Sequence, residues 1–147
     1  MRPDPASRVG EGGLPDRAAQ IAPPAGPRVL LVDDDQAVRA SLKFSFEIEG
    51  IGVEDYATAE GLVGEAAFGG NACLVIDYRL PGMDGLALLA LLRRRGVRAP
   101  AIIITSNPSR KLRQAIIGAE AALVEKPLLC DTLAAKIRAL VGAAAPA

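Results

Sequence analysis

Polar side chains that could bind a cation or handle a phosphoryl group follow four short apolar runs. Asp33–Asp35 follow RVLLV, Asp77 follows ACLVI, Thr105 follows AIII, and Lys126 comes soon after AALV. Carboxylates are hard oxygen ligands that suit Mg²⁺ or Mn²⁺, and a carboxylate can also attack phosphorus to give an aspartyl phosphate. Together these residue types indicate a site for metal-dependent phosphoryl transfer.

The charges of these side chains would depend on one another. Carboxylates within about 4–6 Å raise one another's pKa unless a cation intervenes. At an effective dielectric constant near 20, two like charges about 4 Å apart repel by about 4 kcal/mol. A metal ion and the ammonium of Lys126 would offset this repulsion and stabilise a transferring phosphoryl group, and Thr105 could donate a hydrogen bond to it.

Alternating strand and helix patterns must position these residues. Short buried runs predict strands at residues 28–32, 51–56, 72–76, 101–104 and 121–124. Helical spacing and capping residues predict helices at 36–49, 59–68, 84–95, 108–117 and 128–141. The pattern predicts an α/β fold of five βα units, a doubly wound, five-stranded parallel sheet with the flavodoxin-like order 2-1-3-4-5.

This topology would bring the polar residues into one cleft. Ligands of open α/β sheets bind beyond the carboxyl ends of the strands, near the point where the strand order reverses. The acids, the hydroxyl and the ammonium end strands 1, 3, 4 and 5, which are consecutive neighbours in the predicted order. We therefore expect them to converge at one edge of the sheet.

Composition excludes several other functions. The 147 residues suit one domain, and the absence of histidine excludes a Ser-His-Asp triad and histidine metal ligands. A net charge of zero argues against direct nucleic-acid binding. The apolar runs are too short to span a membrane and no signal pattern is present, which makes a cytoplasmic location the expectation. Cys73 and Cys130 lack a metal-ligand spacing such as C-x-x-C, and small apolar fillers in a reducing compartment are favoured over a disulfide or redox pair.

The chain divides into three segments by composition. Residues 1–27 are rich in Pro, Gly, Ala and charged residues, which predicts a disordered or loosely attached arm. Residues 28–141 form the predicted compact domain. Residues 142–147 are expected to be a flexible tail.

Four motifs of the compact domain resemble the receiver domain of bacterial two-component response regulators, in its FixJ-like branch. They are VDDD at 32–35, IDYRLPGMDG at 76–85, IIITS at 102–106 and VEKP at 124–127. The resemblance implies that Asp77 is the phosphoacceptor and that Asp33, Asp34, Asp77 and the backbone carbonyl of Arg79 bind Mg²⁺ or Mn²⁺. It covers about residues 28–140.

The same resemblance extends to the phosphoryl site and the partners. Thr105 and Lys126 would contact the phosphoryl group, and the peptide bond from Lys126 to Pro127 would be cis. A histidine kinase or a histidine phosphotransfer protein would be the donor, and an unidentified downstream protein would be the target. The chain would be a phosphoacceptor switch with self-phosphorylation and slow self-dephosphorylation, rather than an enzyme with a separate substrate. Homodimer formation is left open.

Three functions remain open at this point. A stand-alone response regulator is expected, because the receiver pattern fills the compact domain and leaves no room for a DNA-binding helix-turn-helix. The alternatives are the receiver portion of a longer transcriptional regulator and a magnesium-dependent phosphohydrolase of the aspartyl-phosphate type. In the last case Asp33 and Asp35 would have the spacing of nucleophile and second acid, but no insertion large enough for a cap is present.

Other residues have two interpretations each or differ from the family pattern. Asp35 is interpreted as an exposed acid at the start of the first helix rather than a metal ligand. The basic run Arg93–Arg95 is typical of a solvated helix end, with a partner-binding patch as the alternative. Leu123 stands where the family usually has an aromatic residue that swings inward on phosphorylation. The stretch 105–126 is also shorter than in the family, which predicts a short, shifted or poorly ordered fourth helix and an unusual output.

Overall fold

The computed structural model describes residues 26–66, 68–128 and 130–144 and contains a five-stranded parallel sheet in the order β2-β1-β3-β4-β5. The strands are β1 (Arg28–Val32), β2 (Gly52–Tyr56), β3 (Ala72–Asp77), β4 (Ala101–Thr105) and β5 (Ala122–Glu125). The helices are α1 (Gln36–Ile48), α2 (Ala59–Glu65), α3 (Gly85–Arg94), α4 (Arg110–Gly118) and α5 (Cys130–Ala144). The predicted fold class and strand order are confirmed. No helix in the described ranges has the length and apolar character needed to cross a membrane.

Helices cover both faces of the sheet because alternate residues of each buried strand point to opposite sides. Val29 and Leu31 of β1 pack in one core with side chains of α1 and α5. Leu30 and Val32 of the same strand pack in a second core with side chains of α2, α3 and α4. The fully buried residues of both cores are aliphatic except for Phe46 and Cys73, in keeping with the low aromatic content.

Short polar side chains cap the starts of the helices. The carboxylate of Asp35 accepts hydrogen bonds from the backbone N–H groups of Ala37 and Val38, which makes Asp35 the N-cap of α1. Its interpretation as a helix-start acid is therefore confirmed. Pro108 was expected in the first turn of the fourth helix, but Ser109 caps α4 and Pro108 precedes that cap. The hydroxyl of Ser109 stabilises the helix start, since it accepts a hydrogen bond from an orphan N–H.

The predicted segment boundaries fall partly outside the described residues. Residues 1–25 of the expected arm and residues 145–147 of the expected tail lie outside them. Inside them, α5 continues to Ala144, beyond the expected end of the domain at residue 141. α4 has nine residues, which agrees with the expectation of a short helix.

Cys73 is a small apolar filler of the core in β3, as expected. The residue has no solvent exposure and forms no disulfide. Burial raises the pKa of its thiol to about 12, because the thiolate would lose its hydration in the core. Burial therefore keeps the thiol protonated and away from solvent in the folded protein.

Candidate functional site

The two central strands deliver the principal acids to one edge of the sheet. Asp33 follows β1, and its N–H donates to the carbonyl of Tyr56 at 3.1 Å, which extends the pairing with β2 by one residue. Asp77 is the last residue of β3 and lies opposite Ile104 of β4 in the sheet register. The backbone therefore fixes both residues before any side-chain contact forms.

Three carboxylates meet at this edge. Single oxygen atoms of Asp33, Asp34 and Asp77 all lie within 4.8 Å of one another. Asp33 is 1% exposed and Asp77 is 5% exposed, whereas Asp34 faces solvent. Two buried acids with one accessible acid form a cluster that can hold a cation at its open side.

The cluster is electrostatically unfavourable without a cation. Burial raises the pKa of Asp77 above its ordinary value, the neighbouring Asp33 raises it further, and Lys126 lowers it. Burial also raises the pKa of Asp33, against hydrogen bonding from the Asp35 backbone and the charge of Lys126. Burial and the neighbouring carboxylates both disfavour the ionised forms of these two acids. A hard oxygen donor set with excess negative charge fits Mg²⁺ or Mn²⁺.

Backbone hydrogen bonds orient the two buried carboxylates. One oxygen of Asp33 accepts the N–H of Asp35 at 2.9 Å, and Oδ1 of Asp77 accepts the N–H of Arg79 at a longer 3.4 Å. The side chain of Arg79 is exposed, and its backbone lies in the loop directly after Asp77. The expected contact of its carbonyl with a metal ion stays a prediction.

A lysine that directly follows the edge strand β5 places a positive charge beside the acids. Nζ of Lys126 lies 3.6 Å from Oδ2 of Asp77. The Lys126 N–H donates to the carbonyl of Thr105 at 2.9 Å, and the Lys126–Pro127 peptide is cis, as the resemblance implies. Thr105 ends the strand next to that of Asp77 and is only 3% exposed. The five side chains predicted from the sequence thus come from consecutive strand ends.

Gly85 has a function that the sequence interpretation missed. It is the first residue of α3, and its N–H donates to the carbonyl of Tyr78 at 2.7 Å. A Cβ atom at Gly85 would lie 2.8 Å from the carbonyl oxygen of Asp77, which is closer than real Cβ contacts allow. Gly82 has a positive φ of 85°, whereas Gly85 does not. Glycine is therefore required at position 85 because there is no space for a side chain.

Arg39 is a second residue that sequence reasoning missed. One of its terminal nitrogens donates to the carbonyl of Asp33 at 2.7 Å, and its Nε lies 3.1 Å from Oδ2 of Asp55. It therefore ties the end of β1 to β2 and places a cation behind the acidic cluster. Its position one helical turn after the capping acid Asp35 was the available signal.

The geometry and the fold define a class of protein. Residues 29–138 match the response regulator receiver domain family, and the chain belongs to that family. The match contains all the strands except the first residue of β1, together with the acidic cluster, Thr105 and Lys126.

Individual relatives make the assignment more specific. The chain is 34% identical over 118 residues to the transcriptional regulatory protein FixJ of Azorhizobium caulinodans, covering 80% of this chain and 56% of FixJ. It is 35% identical over 115 residues to the response regulator MprA of Mycobacterium avium, covering 78% of this chain and 50% of MprA. The chain thus spans about half the length of these curated relatives.

Solved structures agree with this assignment. The crystal structure of FixJ-N superposes with a TM-score of 0.72 at 30% identity, covering 83% of this chain and 98% of that one. A CheY-like receiver domain protein from Methanospirillum hungatei gives a TM-score of 0.69 at 30% identity, covering 80% of this chain and 94% of that one. The FixJ-like receiver resemblance is therefore confirmed in both sequence and fold.

Proposed function

We propose that this chain is a phosphoacceptor switch of a two-component or phosphorelay system, in which Asp77 receives and later loses a phosphoryl group. The observation that carries the proposal is the buried carboxylate of Asp77 with an ammonium 3.6 Å away and two further acids within 4.8 Å. An oxygen of Asp77 attacks phosphorus and forms the acyl-phosphate bond. The bond from phosphorus to the donor breaks, and the donor keeps that electron pair and takes up a proton.

Asp33, Asp34, Asp77 and the backbone carbonyl of Arg79 would hold Mg²⁺ or Mn²⁺. The donor set supports this, because it consists of hard oxygens whose negative charge is only partly offset within the protein. When bound, the ion supplies charge neutralisation for the acids and for the phosphoryl oxygens.

The chain's own residues would stabilise the product. The ammonium of Lys126 neutralises part of the negative charge, and the hydroxyl of Thr105 donates to a phosphoryl oxygen. The hydrogen bond from the Lys126 N–H to the Thr105 carbonyl keeps these two groups together. Gly85 lets α3 pack directly on the acceptor's backbone, which supports a fixed position of Asp77.

The surface of α1 supports the proposal that the phosphodonor is a protein, namely a histidine kinase or a histidine phosphotransfer protein. This helix starts directly after the acidic cluster, and its outer side exposes Phe44 (68%) and Ile48 (69%), one helical turn apart. Apolar side chains at this spacing suit docking of a helix beside the acceptor.

The proposed receiver unit spans residues 28–141 and acts through protein contact, as a stand-alone regulator. A second candidate is the receiver portion of a longer transcriptional regulator, which is favoured by its match to only about half of FixJ and MprA. The phosphohydrolase alternative lacks support at its second acid. That alternative needs the carboxylate of Asp35 beside the substrate, but this carboxylate caps α1 by accepting the backbone N–H groups of Ala37 and Val38.

Phosphorylation by a small donor tests the central claim. With acetyl phosphate and Mg²⁺, intact-mass spectrometry should show one added phosphoryl group, which EDTA prevents. Asp77→Asn should remove the addition, because an amide oxygen is a poor nucleophile. Asp84→Asn, at the exposed N-cap of α3, is the matched control and should be labelled like the unaltered protein. Equal labelling of Asp77→Asn would overturn the proposal.

A further inference from the structure

A pocket lies at the opposite end of the sheet from the acidic cluster. It has a volume of about 420 Å³ and opens between the segments that precede β3 and β4 and the end of α5. This volume is within the range of small-molecule sites, about 300–1,000 Å³. The pocket shares no residue with the phosphoryl site.

The walls of this pocket, which we call the amino-edge pocket, are of two kinds. One kind is apolar and consists of Phe68, Val97, Pro100 and Val141. The other is cationic and consists of Arg95 and Arg98. No Asp or Glu is among the described lining residues. The combination of an apolar surface with two cations and no acid is suited to an amphipathic anion.

The loop that carries both arginines is held in place by a third one. Arg93 donates hydrogen bonds to the carbonyl of Val97 at 2.9 Å and to the carbonyl of Ala99 at 2.7 Å. The carbonyl of Pro100, at the end of the loop, accepts the N–H of Leu74 at 2.8 Å. The pocket wall is therefore formed without a ligand, which lowers the entropic cost of binding.

The two lining arginines carry charge that no described acidic side chain neutralises. Arg95 and Arg98 are exposed, and across the ranges 26–66, 68–128 and 130–144 neither forms an ion pair. The charge of Arg98 also acts on Arg93. Burial is the main cause that lowers the pKa of Arg93, and the positive charge of Arg98 lowers it further, whereas the negative charge of Glu120 raises it. An anion at this edge would reduce the repulsion among the cations.

We infer that the amino-edge pocket binds a small organic anion, with its apolar body against Phe68, Pro100 and Val141 and its anionic group between Arg95 and Arg98. The guanidinium groups suit a carboxylate, sulfonate or phosphate because each can donate two parallel hydrogen bonds to such a group. The basic run at the end of α3 then forms part of a ligand site rather than only a solvated helix end.

Titration with anilinonaphthalene sulfonate, a fluorescent aromatic anion, tests this inference. Amide NMR signals of residues 69–72 and 95–99 should shift, and those around Asp77 should not. Arg95→Gln and Arg98→Gln should each weaken binding by about fivefold to tenfold, whereas Lys111→Gln, an exposed cation of α4, should bind like the unaltered protein. Inorganic sulfate, which has the charge without the apolar body, should bind more weakly.

Two results would overturn the inference. One is equal affinity of the Arg98→Gln, Arg95→Gln and Lys111→Gln variants for the probe. The other is a set of amide shifts that lies outside the amino-edge pocket. Because both lining arginines are exposed, and the hydrogen bonds of Arg95 to α3 come from its backbone N–H, these variants should keep the fold, which a thermal melt would verify.

Discussion

The strand that carries Asp77, the proposed phosphoacceptor, and the strand that leads to Lys126 differ in burial. All six residues of β3 are buried, whereas none of the four residues of β5 is fully buried and Glu125 is exposed. β3 is hydrogen-bonded on both sides, while β5 is an edge strand. Asp77 is therefore held by a strand of the core, whereas Lys126, which carries the opposite charge, follows a strand at the edge of the sheet. A charge change at Asp77 should move β5 and α4 more easily than β3.

Equivalent leucine truncations should show the largest difference between the strands. Leu74 of β3 has no exposure, and Leu74→Ala should cost about 2–5 kcal/mol of unfolding free energy. Leu123 of β5 is only partly buried, and Leu123→Ala should cost no more than about 2 kcal/mol. Urea denaturation measures both. Equal losses would show that β5 is as much a part of the core as β3.

A methyl group added behind the acceptor should come next in size. Gly85→Ala should cost about 1–3 kcal/mol, because its Cβ would meet the Asp77 carbonyl, and it should slow phosphorylation by acetyl phosphate. Gly64→Ala on α2 is the matched control: nothing lies within 4 Å of its added Cβ. That change should be neutral or stabilise by up to about 1 kcal/mol. A well-tolerated Gly85→Ala would mean that α3 adjusts without disturbing the site.

Neutralising the acceptor should stabilise the metal-free protein at neutral pH. The pKa of Asp77 is raised in the folded state, so its ionised form lowers stability above that folded pKa, and this penalty disappears below its ordinary pKa of 3.8. Asp77→Asn should therefore melt higher than the unaltered protein near neutral pH in EDTA, and lose that advantage in acid. Lys126 is one-third exposed and stays solvated without its partner.

The magnesium dependence of the same melts is the control. Mg²⁺ should raise the melting temperature of the unaltered protein more than that of Asp77→Asn, because ligand binding stabilises only the state that binds it. An advantage of Asp77→Asn that persists in acid would contradict the assigned cause, since protonated aspartate carries no charge penalty.

The smallest effect is expected on the outer side of β5. Arg113 of α4 and Glu125 form an ion pair whose side chains are 45% and 43% exposed. Arg113→Gln should change stability by less than about 1 kcal/mol, with the difference reduced by salt. A double-mutant cycle with Glu125→Gln measures the coupling. A larger coupling than the cost of Leu123→Ala would show that charge, rather than packing, holds α4 to β5.

Local patterns in the sequence were sufficient for the elements and their order. Apolar runs and capping residues such as Thr58 predicted every strand and helix, because each buried strand ends at a polar residue and each helix start needs a side-chain acceptor. The candidate site followed from topology, since parallel strands place their carboxyl ends together. The proximity of Asp33, Asp34 and Asp77 was thus predictable before any distance was known.

Features that depend on long-range contacts were not predictable. Gly85 has the same letter as a turn glycine, and only the approach of α3 to the Asp77 carbonyl reveals its function. The start of α4 was misplaced for a local reason, since Pro108 and Ser109 both suit a helix start. Ser109 is the N-cap because its hydroxyl accepts the backbone N–H of Leu112. The amino-edge pocket joins residues from three distant segments that no local pattern connects.

The strand order has a consequence for how the chain assembles during synthesis. β1 pairs with β2 and β3, β4 adds to β3, and β5 adds to β4, so every strand after β2 joins one growing edge in the order of translation. Asp77 leaves the ribosome long before Lys126, and its counter-charge arrives only with the last strand. We expect ribosome-bound chains that end before β5 to take up no label from acetyl phosphate, because Lys126 is not yet beside Asp77.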